Sequence, residues 1–211
     1  MSRRSDRPVE ALVFTVGMVV FALCAHREAL VLPRLVGLLI AGLALARGIA
    51  KSSRPRELLG ARSFARYRLV YILPAVGLGV GLAIFYRCTQ HQSPLPGRLA
   101  WFCLPAVGIG VCEEVAYRGF VQGSLRKYGL WAACVGGVVA HAAYKCSLFA
   151  LPDVAVRANL LWLGAGTVVF GIVFGLMREA FGSVLFPVLA HATFDVVTYG
   201  DLTSAPWWVG L

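Results

Sequence analysis

Apolar residues fall in seven runs, at about residues 9–25, 29–46, 69–86, 99–121, 129–150, 158–177 and 182–199. This recurrence constrains the fold more than any single motif. Each run has the length an α-helix needs to cross a hydrocarbon core, roughly 17–25 residues. Within that layer no water satisfies backbone polar groups, so a segment must close its hydrogen bonds internally. The expected fold is therefore all-α, a polytopic transmembrane helix bundle of about seven spans. Composition agrees: 59% of residues are hydrophobic and 14% charged, against about 25% charged in soluble domains.

The net charge of +10 would point to nucleic acid in a soluble chain. Here basic loops explain it, and no nucleic-acid motif stands out. With the amino terminus in the cytoplasm, 14 Lys and Arg residues fall inside and six outside, namely Arg27, Arg34, Arg87, Arg98, Lys145 and Arg157. The positive-inside rule then favours a cytoplasmic amino terminus. An integral protein of a bacterial inner membrane is expected, the Ala-, Gly- and Arg-rich composition pointing to a bacterium.

The amino terminus has the charged start and apolar core of a signal peptide but no clear A-x-A site. It is expected to stay as a first anchor. Pro33 and Arg34 interrupt the second run, predicting a kink or a helix that begins after them. The basic stretch from Arg47 to Arg68 is expected along the lipid headgroups. No eighth span is expected in the tail after residue 200, and Trp207 and Trp208 read as an interfacial belt. The organisation expected is residues 1–97, amino-terminal spans with the basic segment, and 98–211, a core carrying the chemistry.

Two glycine pairs, Gly77–Gly81 and Gly171–Gly175, have the GxxxG spacing that lets helices approach closely. The six cysteines are scattered without a CxxC pair, as small apolar residues would be.

Ionisable side chains inside spans are costly and so stand out. They are Glu113, Glu114 and Arg118 in the fourth run, His141 and Lys145 in the fifth, and His191 and Asp195 in the seventh. At ~1.5 Å rise per residue, Glu113, His141, His191 and Asp195 lie roughly 12, 18, 13 and 19 Å from the cytoplasmic boundary. Three helices thus bring polar groups to one slab.

Adjacent helical residues point roughly 100° apart, which predicts that Glu113 and Glu114 do not face the same site. Glu114 and Arg118, spaced i, i+4, are expected to pair as a structural clamp, leaving Glu113 for chemistry. His191 and Asp195 share a face, so the carboxylate could orient the imidazole or both could ligate a metal. Lys145 and Arg157 are expected at the outer interface without a role. No HExxH, GxSxG or Walker loop is present.

EEVAYR, residues 113–118, together with GSVLFPVLAHATFD, residues 182–195, resembles the motifs of the CAAX-processing and bacteriocin-processing (CPBP) family of intramembrane proteases. Those motifs are EExxxR and a closing GS-x-x-x-P-x-x-x-H-x-x-x-Asn/Asp. His141 stands about where the family has its middle histidine. The resemblance covers about residues 98–199. In two places the chain departs from the pattern: Gly137 stands where Phe is usual, and Asp195 where Asn is frequent.

The resemblance implies endoproteolysis in the membrane near a substrate's carboxyl terminus, with the catalytic site in the last four helices. Glu113 and His141 would activate water, and His191 with Asp195 would polarise the carbonyl or stabilise the oxyanion. The resemblance implies either no cofactor or a divalent metal such as zinc, in which case Glu113, His141, His191 and Asp195 would hold it. Their spread in depth favours water activation without metal. The expected partners are a membrane-anchored protein substrate and the lipid bilayer, with no nucleic acid. The substrate is read as a CAAX-prenyl-type or a sortase-like carboxyl-terminal sorting segment. A non-proteolytic immunity or scaffold protein, or a proton-coupled transporter, is the alternative; inverted repeats, which a transporter commonly carries, are missing.

Overall fold

The computed structural model describes residues 7–60, 72–150 and 159–203. It is a bundle of helices α1 (Arg7–Cys24), α2 (Val31–Ala50), α3 (Pro55–Leu58), α4 (Ile72–Thr89), α5 (Cys103–Glu113), α6 (Gln122–Leu125), α7 (Leu130–Phe149), α8 (Leu160–Phe181) and α9 (Leu185–Tyr199). The stretch Glu114–Val121 joining α5 to α6 is π-helical. No strand occurs among the described residues. Elements α1, α2, α4, α5 through α6, α7, α8 and α9 fall on the seven apolar runs.

By length and composition α2, α4, α7 and α8 are each able to cross a membrane, while α1 and α9 are shorter apolar helices. Their outward faces carry large apolar side chains, such as Leu12, Leu32, Leu73 and Leu161, as contact with lipid requires. Hydroxyls within these helices bond locally: Thr15, Ser147, Thr167 and Thr193 each donate to the carbonyl four residues back at 2.7–2.8 Å.

No break occurs at Pro33. It lies in the first turn of α2, where a missing N–H costs nothing, and Arg34 reaches back to the carbonyl of Ala25 at 3.0 Å. Glu10 fastens α1 to the end of α2, taking Lys51 at 2.7 Å and Arg47 at 3.1 Å. The amino-terminal helices are part of the same core, in which Phe14 meets Tyr117 and Phe120 edge-on at 5.9 and 5.7 Å.

The described part of the basic stretch is tied to the bundle: Leu58 is buried, its carbonyl accepts from Arg178 at 3.3 Å, and Gly60 accepts from the Val184 N–H at 3.0 Å. Residues 61–68 of that stretch, Arg157 and the tail tryptophans lie outside the described residues. Glycine packing differs from the spacing rule. Gly171 and Gly175 pack against α7, but Gly77 and Gly81 face open space. On α4 it is Gly79 that touches α9, at the Ala190 carbonyl.

At the far end of α4 the buried Arg87 gathers the chain that crosses back to α5. It donates to the Ser93 carbonyl at 2.7 Å, to the Val197 and Thr198 carbonyls at 3.2 Å, and to Asp201 at 2.6 Å. The Arg87 hydrogen bond holds the Asp201 carboxyl below its usual range. These bonds fix the carboxyl end of α9, and with it the register of the residues one and two turns earlier.

Candidate active site

The site grows from the point where α5 changes to π-helix. Glu113 ends the α-helical part; Glu114, Tyr117 and Arg118 lie on the π-helical part, and all four are buried. Such turns are rare and concentrate at functional sites. Helix α9 approaches closely because residue 110 is glycine. A methyl group there would run into Asp195 Oδ2 and sit 3.2–3.3 Å from the His191 ring. Gly110→Ala is accordingly expected to destabilise the fold by about 1–3 kcal/mol through overpacking. Gly108→Ala, which faces open space, serves as control. Thermal midpoints in detergent check this, and equal midpoints for the two variants would refute the close approach.

Glu113 sits at the centre. Its Oε2 lies 3.2 Å from His141 Nε2 and 3.9 Å from His191 Nε2, and its Oε1 is 2.8 Å from Lys145 Nζ. Glu114 Oε1 holds Arg118 Nη1 at 3.1 Å and His191 Nδ1 at 2.8 Å. Arg118 Nη1 also meets His141 Nδ1 at 2.8 Å. His191 Nε2 lies 3.8 Å from Asp195 Oδ1. Tyr117 stacks on the His141 ring at 4.6 Å, and Phe174 borders both Arg118 and His191 at 5.8 Å.

Donor counting assigns the protons. Arginine only donates, so His141 Nδ1 accepts from Arg118 and Nε2 carries the hydrogen that points to Glu113. An ionised carboxylate only accepts, so His191 Nδ1 donates to Glu114, and Nε2 faces the space between Glu113 and Asp195. Glu113 Oε2 keeps a second lone pair for a further donor.

The structure therefore brings Glu113, His141, His191 and Asp195 together with Glu114 and Arg118. Three particulars differ from helical-spacing arguments. Both glutamates reach one site, because the His191 ring stands between them and takes Glu114 on one nitrogen while Glu113 lies near the other. Glu114 thus orients His191 as well as pairing with Arg118, and Asp195 is on the opposite nitrogen. Glu113 is not solitary, since Lys145 is turned inward onto it. Lys145 was legible in principle: it lies i+4 from His141 on the same helix face, and an ammonium inside a span needs a partner.

The side chains do not fit a metal. With Nδ1 occupied by an arginine N–H, His141 would have to become an anion to offer Nε2 as a ligand, and an ammonium already stands on Glu113 Oε1. Among the described residues no group of three His, Cys, Asp or Glu side chains is placed to hold an ion.

Comparison with known proteins extends this geometry. No curated protein and no solved structure matches the chain. Residues 94–197 match the family model described as Type II CAAX prenyl endopeptidase Rce1-like, a span that contains every residue of the cluster. This part of the chain, about half of its length, belongs to the CPBP family, the CAAX-processing and bacteriocin-processing membrane proteases.

Proposed function

We propose that this integral membrane protein is an endopeptidase that cleaves a membrane-anchored protein near its carboxyl terminus, using water activated by Glu113. The observation that carries the reading is one carboxylate oxygen, Glu113 Oε2, held at 3.2 Å by a histidine N–H and facing a second imidazole nitrogen at 3.9 Å. A water beside Oε2 gives it a proton as its oxygen attacks the scissile carbonyl. His191, held by Glu114 and protonated on both ring nitrogens, donates its Nε2–H to the oxyanion that forms. Asp195 supports charge on that ring, since an ionised aspartate has no hydrogen to donate to an oxyanion. The proton on Glu113 passes to the leaving amine, which completes hydrolysis and restores the carboxylate.

The proposed substrate class is a carboxyl-terminal segment presented from the bilayer, of the CAAX-prenyl type or, in a bacterium, a sorting helix removed after export. The proposed setting is a bacterial inner membrane with the amino terminus in the cytoplasm. Arg118, Arg178, Arg87 and Lys145 are turned into the bundle. Setting these four aside leaves 12 basic residues on the cytoplasmic side against four outside.

The test compares membrane proteins from cells carrying the native chain with those from cells carrying Glu113→Gln, and reads their carboxyl termini. At least one protein is expected to be shortened only with the native chain. Identical termini in both would reject the reading.

A further inference from the structure

Lys145 projects from α7 four residues after His141, and its side chain is only 17% exposed. A lysine in a span is costly unless paired, so its partners indicate its task. One is Glu113 Oε1, at 2.8 Å; Asp195 is also within its electrostatic reach. Among the described residues Arg118 is also a cation of this cluster, and it is already engaged by Glu114 and His141. The carboxylates of Glu113 and Asp195 are left facing one imidazole nitrogen, His191 Nε2, from 3.9 and 3.8 Å. Two like charges so close in a low-dielectric interior repel strongly, and each competes for that nitrogen.

We propose that Lys145 is a positioning residue for Glu113. Its ammonium anchors Oε1, so that Oε2 stays on the side of the two histidines, and it balances the negative charge that Asp195 adds. Lysine suits this place because it acts as a compact point charge on a flexible stem. The proposal rests on the reading of Glu113 as the water-activating group and adds a dependence of Lys145 on Asp195.

The dependence makes it testable. Native protein and the variants Lys145→Met, Lys145→Arg, Asp195→Asn, Lys145→Met with Asp195→Asn, and Glu113→Gln are reconstituted in lipid vesicles. Each is assayed on the membrane protein that the terminus comparison finds shortened. Lys145→Met is expected to lower kcat by about 10²-fold, the scale of a misplaced reacting group, with KM little changed. Lys145→Arg keeps most turnover. Asp195→Asn alone is expected to lower kcat, because Asp195 supports the charge on His191. In that background Lys145→Met is expected to cost on the order of tenfold rather than about 10²-fold, as coupled neighbouring groups do.

Native kcat in Lys145→Met, or the same fold loss on Lys145→Met with and without Asp195→Asn, overturns the proposal. If Lys145→Met fails to accumulate in the membrane, the double variant decides: recovered protein with turnover supports the charge balance, and continued loss overturns it. Turnover by Glu113→Gln would instead sink the reading of Glu113 itself. An inactive Glu113→Gln beside a fully active Lys145→Met would sink only the role of Lys145.

Discussion

Glu113→Gln is expected to abolish cleavage, lowering kcat/KM by about 10²–10⁴-fold, the range attributed to a general base, while the protein still inserts and folds. Glutamine keeps the length of the side chain and an oxygen able to accept from His141 Nε2–H at the observed 3.2 Å. What it lacks is an oxygen that can take and return a proton. Its amide would also meet the Lys145 ammonium with no charge to offset it, so some loss of stability is expected beside the larger loss of turnover. The measurement is cleavage by vesicle-reconstituted protein, with the thermal midpoint in detergent taken in parallel. A variant that folds and turns over normally removes Glu113 from the mechanism.

Arg118→Met is expected to give the largest loss of stability, about 3–5 kcal/mol, as when one member of a buried ion pair is deleted. Arg118 and Glu114 are both within 2% of complete burial, and one Arg118 nitrogen serves both Glu114 Oε1 and His141 Nδ1. Without it, a carboxylate loses its fixed counter-charge, and His141 loses the donor that sets its tautomer. The loss is read as a lowered midpoint and reduced yield from membranes. Glu114→Gln should cost less, because an amide oxygen still accepts from both Arg118 and His191 Nδ1. If Arg118→Met purifies with the native midpoint, the pair with Glu114 is not a structural clamp.

The helical class and its placement were readable because hydrophobic length and backbone satisfaction act locally. The seven runs needed only a count of apolar residues, and α1, α2, α4, α7, α8 and α9 lie on them within a few residues. The motif EExxxR and the later His-x-x-x-Asp were also readable, since i, i+4 spacing puts such pairs on one face of any helix. Spacing misled about the two glutamates: an argument from roughly 100° per residue gave them separate sites, but one imidazole reaches between them, with Glu114 on Nδ1 and Glu113 near Nε2. It also gave the wrong glycines on α4, where the residue facing α9 is Gly79 and neither member of the GxxxG pair makes contact.

What the chain alone determined is a helical membrane protein with a few costly ionisable groups at similar depth, because transfer into lipid is set by each residue's own chemistry. Which of those groups touch was left to the tertiary structure. Only the packing of α5, α7 and α9 put the His191 ring between two glutamates and brought Lys145 onto Glu113. The physical reason is reach: a charge pair forms over a few ångströms, and rotation of one helix about its axis decides whether an ammonium meets a carboxylate or lipid.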